Sequence, residues 1–167
     1  MAATRPPHSG PGLRRGDESL LMTDSRLRFR EDAPHEEPAV TLDAFLGQTN
    51  ATAVRIEPGD DVRALLPHLG QLALIEVAFP AFRDGRGYSA ARILREAGYT
   101  GELRAEGDVL VDQILPMRRC GFDSFAPRTE IDSATLKASL SRYEHVYQGA
   151  ADGAVPVWKL RHGQSRP

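Results

Sequence analysis

Cysteine is almost missing from this chain. The lone thiol, Cys120, has no intrachain disulfide partner, and one thiol falls far short of the four ligands an iron–sulfur cluster takes. A reducing cytoplasm is therefore the expected home. No apolar run approaches the roughly 18 residues needed to span a bilayer, and the opening MAATRPPHSGPGLRRGDESLLMTDS lacks a continuous apolar stretch of the secretory type. Neither a membrane nor export is expected. An excess of one charge is missing too: 21 Lys and Arg stand against 23 Asp and Glu, a net charge of -2. Such a balance argues against a dedicated nucleic-acid binder, which needs surplus cations. His8, His35, His68, His145 and His162 are scattered, with no second cysteine and no H-x-x-x-H spacing, so no metal is expected. There is no G-x-S-x-G and no Walker loop, and no cofactor is implied.

What remains is an ordinary globular composition, 41% hydrophobic and 26% charged. At about 150 residues per domain, 167 residues make one domain with some spare chain. Lysine is scarce: only Lys137 and Lys159 occur, and every other basic residue is arginine. Codon usage would explain this without function; forked contacts to carboxylates and oxyanions would explain it with one. Residues 1–18 and 163–167 read as tails, 19–50 as an extension with a short strand and helix, and 51–162 as an α/β domain. The Pro- and Gly-rich first segment and the acidic stretch Glu31 to Pro38 bury too little apolar surface to offset ordering; the latter reads as a loop.

Ser25 to Arg30 alternates polar and apolar, predicting a short edge strand. Thr41 caps a short helix carrying Leu42, Phe45 and Leu46, and Gly47 ends it. Ala53 to Ile56 is a strand. Asp60 or Asp61 caps a helix with Val62, Leu65, Leu66 and Leu69 inward and Pro67 in a fraying last turn. Leu72 to Phe79, the most apolar run, predicts a central strand buried on both faces. Helices then follow over Ser89 to Ala97, over Asp108 to Cys120 (kinked at Pro116 or starting late, near Asp112), and from Asp132 or Ser133 through Leu136, Leu140, Tyr143 and Tyr147. Strands fall at Glu102 to Glu106, Ser124 to Ala126 and Val155 to Leu160. Strands alternating with helices imply an α/β fold with a parallel sheet: an open, doubly wound sheet, or half of a (β/α) barrel. In either, ligands gather at the carboxyl ends of the strands.

The richest loop there is Phe79-Pro80-Ala81-Phe82-Arg83-Asp84-Gly85-Arg86-Gly87-Tyr88-Ser89. It opens a helix whose first amides lack intrahelical partners. Arg83 and Arg86 add charge, Gly85 and Gly87 permit close approach, and Asp84 and Ser89 flank them, so an anion seat is expected. The competing reading pairs Asp84 with an arginine and leaves the glycines to make a turn. Gly85 to Ala90 also spells G-x-G-x-x-A, with Glu106 about twenty residues on, the outline of a dinucleotide fingerprint. Five residues separate Phe79 from its first glycine, however, and Arg86 would crowd a pyrophosphate. Glu76, Glu106, Asp108 and Asp112 are candidate acid–base or pairing groups. Glu76 stands inside an apolar strand and calls for an arginine or a raised pKa; Asp108 and Asp112 equally suit a helix start. Arg118, Arg119 and Cys120 end a helix, where arginines complement the dipole; a nucleophilic role for Cys120 would need a lowered pKa.

The blocks FPAFRDGRGYSAARILREAGYTGELRAEGDVLVDQILPMRRCGFDSF closely resemble the bacterial family catalogued as domain of unknown function 934. The resemblance covers roughly residues 50 to 162, and the motif falls on Phe82, Asp84, Gly85, Arg86, Gly87, Gly107, Asp108, Asp112, Gln113, Gly121 and Phe122. It implies a place beside sulfite or nitrite reductase and other sulfate-assimilation enzymes. Two functional classes follow from it. One is an accessory protein or small subunit that binds the large subunit of a sulfite reductase or another sulfate-assimilation enzyme, with an oxyanion at Arg83 to Gly87. The other is a small anion- or nucleotide-binding oxidoreductase or other enzyme of α/β fold.

Overall fold

The computed structural model describes residues 21–23, 26–47, 50–143 and 145–161; the expected tails at 1–18 and 163–167 lie outside them. Seven strands form one sheet: β1 (Leu21–Thr23), β2 (Arg26–Arg28), β3 (Val40–Thr41), β4 (Ala53–Ile56), β5 (Leu74–Phe79), β6 (Glu102–Gly107) and β7 (Ser124–Pro127). Their spatial order is β1-β2-β7-β6-β5-β4-β3. From β3 to β7 every neighbouring pair is parallel, while β2 joins β7, and β1 joins β2, antiparallel.

Parallel strands laid down in chain order need every crossover to step the same way. With right-handed connections, all the helices then lie on one face. These are α1 (Leu42–Gly47), a 3-10 helix (Val62–Gln71), α2 (Arg86–Glu96), α3 (Val111–Cys120) and α4 (Ser133–Leu140). The 3-10 helix packs on α2, α2 on α3, and α3 on α4, as a single layer. The sheet is open, and among the parallel strands β3 to β7 the order never reverses, which excludes the doubly wound arrangement. β5 is an interior strand buried on both faces as expected, with only Glu76 partly exposed, though helices cover just one of those faces.

Under that layer sit Ile75, Val77 and Phe79 from β5, Leu103 and Ala105 from β6, and Phe125 from β7, all buried with Phe45, Leu65, Leu94, Ile114 and Met117. Each large apolar side chain so buried contributes about 1.5–3 kcal/mol. Phe79 meets Tyr88 and Phe122 edge-on at 5.9 and 5.8 Å.

Several elements differ from the sequence reading. Pro67 stands inside a ten-residue 3-10 helix rather than in a fraying α-helical turn; its missing N–H and its ring conflict with the i→i−4 ladder. The helix from Asp132 stops at Leu140, and Tyr143 and Tyr147 lie beyond it, exposed. Val155 to Leu160 is no strand: Val157–Arg161 forms a short helix, α5, and Pro156 makes an isolated bridge to Val146. α3 starts late, at Val111, and retains Pro116 inside it.

The acidic loop is a strap. It leaves β2 near one edge and reaches β3 at the other, crossing the helix-free face. Arg104 donates to the carbonyl of His35 at 3.4 Å, Arg28 to that of Ala33 at 3.2 Å, and Thr52 Oγ1 to Glu37 at 2.7 Å.

Candidate functional site

Side chains alternate across a sheet, so the face without helices takes the other half of each strand. Strand register sets Arg55 beside Glu76, Glu76 beside Arg104, Arg104 beside Ser124, and Ser124 beside Arg28. Two residues either side of Arg104, Glu102 and Glu106 point the same way. Arg104 Nη2 lies 2.8 Å from Glu102 Oε1, and Arg28 Nη2 lies 3.1 Å from Glu102 Oε2. Arg55 Nη1 bridges Glu76 Oε1 at 2.7 Å and Glu106 Oε2 at 2.5 Å; Arg104 Nη1 is 3.6 Å from Glu76 Oε2. Three guanidiniums thus meet three carboxylates. Glu102 and Arg104 are buried, and such charges persist in a low-dielectric setting only when paired. Burial alone would raise the Glu102 carboxyl; Ser124, Arg104 and Arg28 together hold it below the ordinary carboxylate range.

Toward the carboxyl ends of the strands the strap no longer covers the face. There a cavity of about 340 Å³ is lined by Arg26, Arg104, Arg128, Glu76 and Glu106, with Ala126 and Pro127. A smaller one of about 90 Å³ shares Glu106 and Arg128 with it. Arg128 is carried there by the end of β7, where its amide donates to the Gly107 carbonyl at 2.7 Å. Among the described residues, neither Arg26 nor Arg128 makes an ion pair, in contrast to the guanidiniums of the row below. Glu106 Oε2 touches Arg55 without hydrogen-bond alignment, and its Oε1 has no hydrogen-bond partner among the described residues.

The Arg83 to Gly87 loop also reaches this end of the sheet, but lines neither cavity. Asp84 satisfies it from within. Its Oδ1 accepts from the Arg86 amide at 3.1 Å and from Nε at 2.9 Å, and its Oδ2 lies 2.6 Å from Nη2. That clasp lowers the Asp84 carboxyl to about 2 and occupies both the Arg86 charge and a free helix-start amide. Arg83 lies over the Phe82 ring, 5.5 Å from its centroid. Gly87 seats α2 on Phe79: a Cβ there would fall 2.4 Å from the ring. This packing accounts for the glycine without any pyrophosphate. Ser89 is exposed on α2.

Glu76 and Glu106 come together on the open face, joined by Arg55. Asp108 and Asp112 do not join them. Asp108 accepts the Phe82 amide at 3.0 Å, while Gln113 donates to the Phe82 carbonyl at 2.7 Å and accepts from the Leu110 amide at 3.2 Å. Two successive strand-to-helix loops are clamped in this way. Asp112 is exposed in the first turn of α3. Arg118, Arg119 and Cys120 lie at the opposite end of the sheet. Arg118 stacks on Phe29 at 3.8 Å, Arg119 holds the Gln148 carbonyl at 2.5 Å, and burial pushes the Cys120 thiol up, contrary to what a nucleophile needs.

Sequence reasoning missed Arg26, Arg28, Arg55, Arg104, Arg128 and Glu102. A signal existed in the strict alternation of Glu102, Arg104 and Glu106 along β6, which places three charges on one face. Among the described residues, no cluster of His, Cys, Asp and Glu could hold a metal, and no helix is long and apolar enough to cross a membrane. No curated protein and no solved structure matches the chain. A model of a bacterial protein family of unknown function, DUF934, matches residues 53–158, from the first residue of β4 into α5, and the chain belongs to that family.

Proposed function

We propose that this chain is an oxyanion-binding accessory protein of assimilatory sulfite reduction, a small partner of a reductase that brings no iron–sulfur centre of its own. The observation that carries the anion half is the pair Arg26 and Arg128. Every guanidinium of the charged row beneath them is paired, Arg28 and Arg55 reaching Asp32 and Glu57 as well, whereas these two border a cavity with no carboxylate claiming them among the described residues. Unpaired arginines that converge on a cavity favour a bound anion through forked, charge-assisted hydrogen bonds. The open face suits this better than the Arg83 to Gly87 loop, because Asp84 has already met the Arg86 charge.

The partner half draws on the family's expected setting and on exposed apolar surface. Tyr143, Tyr147, Trp158 and Leu160 are half or more exposed, the kind of surface a partner covers. Titration calorimetry with sulfite tests the first half: the expected result is binding that weakens about tenfold or more in Arg128→Ala. Heat unchanged by that substitution dismisses the open-face seat. Affinity capture from a native host at low salt tests the second half, and recovery of no reductase counts against it.

A further inference from the structure

We infer that the ligand of the open-face cavity is an oxyanion that carries its own proton, of the hydrogensulfite or hydrogenphosphate type, and that bare sulfate is rejected. This rests on the anion-binding reading above and adds the chemistry of selection. Arg26 and Arg128 alone would take any anion, but Glu106 stands between the two cavities and lines both. Its buried Oε2 lies 2.5 Å from Arg55 Nη1 without hydrogen-bond alignment, and the other oxygen has no hydrogen-bond partner among the described residues. Glu76, the second carboxylate at this wall, is already engaged by Arg55 and Arg104.

An ionised carboxylate only accepts hydrogen bonds. A bare dianion seated against the arginines sets oxygen lone pairs against Glu106 and leaves that oxygen unsatisfied. An oxyanion with one O–H turns its hydroxyl toward Glu106 and its remaining oxygens toward the guanidiniums, so every polar group is met. A site that needs a donor discriminates strongly against an analogue lacking one.

Phosphate and sulfate at about pH 8 make the cleanest comparison, since both are tetrahedral dianions there and only phosphate keeps a proton. Calorimetry on the unmodified chain is expected to show phosphate binding at least about tenfold tighter than sulfate. Sulfite forms a third arm, read at a lower pH where it is protonated, and whichever of sulfite and phosphate binds tighter identifies the oxyanion. Glu106→Gln supplies an amide donor, so the same comparison in this variant is expected to lose the preference and gain sulfate affinity. Equal affinity for phosphate and sulfate in the unmodified chain overturns the inference while leaving the anion seat intact. Binding of none of the three anions overturns the anion reading itself. Because the decisive ratio is measured on the unmodified chain, a variant that fails to fold does not spare the claim.

Discussion

Arg95 shows what the arginine bias does in this chain. Its Nε donates to the Gly121 carbonyl at 2.9 Å, Nη1 to the carbonyls of Tyr99 and Gly101 at 2.7 and 3.0 Å, and Nη2 to Asp123 at 2.7 Å. No ammonium reaches four acceptors in that fan. Arg95→Lys keeps the charge yet is expected to cost about 2 kcal/mol, because partly buried carbonyls lose their donors. Arg92, whose exposed Nε meets Glu96 at 3.1 Å, is the control: Arg92→Lys is expected to cost less than about 0.5 kcal/mol. Urea midpoints with an unchanged slope check both, and equal losses would contradict the fork argument. Composition showed that arginine dominates; it could not show which guanidiniums fork onto carbonyls, since that depends on how helix ends and loops come together, as where Gly121, 26 residues on, meets Arg95. Asp84 and Arg86, two residues apart, were legible as a pair, and the structure closes that pair.

Strand-to-helix junctions carry the geometry at the next scale, and Gly107 is the tightest of them. Its φ is +114°, and a Cβ there would stand 2.4 Å from the backbone oxygen of Phe79. A left-handed conformation costs a non-glycine residue about 1–3 kcal/mol before any clash, and a backbone neighbour cannot swing aside as a side chain can. Gly107→Ala is therefore expected to lose about 2 kcal/mol or more. It should also loosen the amides of Phe82 and Asp108, whose partners flank this turn, and hydrogen exchange reads that effect. An alanine variant as stable as the parent, with those amides still protected, would show the junction to be slack. Elements with a strong period were legible: β4 and the helix starts at α1 and α4 fall where alternation and the caps Thr41 and Asp132 place them. Alternation over Ser25 to Arg30 also found β2, though not as the edge expected, because β1 pairs outside it; β1 and β3, of three and two residues, were not read. The stripe that ran on to Tyr143 and Tyr147 was misleading, because the spacing of apolar residues cannot report that no surface remains for them to cover.

For the molecule as a whole, the decisive fact is that the parallel strands follow chain order. One face is then apolar under helices, and the other is left for charges. Alternation of strand and helix does not reveal this, because strand order is set by which distant edges pair. The family match begins at β4, so β1, β2, β3 and the strap add to the matched region both sheet edges, Arg26 and Arg28. This arrangement makes stability depend on carboxylates kept ionised. A hydrogen bond from Arg30, with Arg28 in support, holds the Asp32 carboxyl down at about 2; the Arg86 clasp holds Asp84 there too, and Glu102 is held below its ordinary value by its partners against the pull of burial. A carboxyl lowered by folding stabilises the native state above its unfolded value, near 4, and that contribution is lost as pH falls through the folded value. Urea midpoints are thus expected to hold steady from neutrality to about pH 5 and to fall most steeply between about pH 4 and 2. Glu102→Gln should lower the midpoint at neutral pH, because Arg28 and Arg104 lose their shared charge, and should flatten the acid limb, because one of the linked protons is gone. A parent protein whose midpoint is level across that acid window, or a variant that keeps the parent's slope, would show that the charged face does not hold the sheet together.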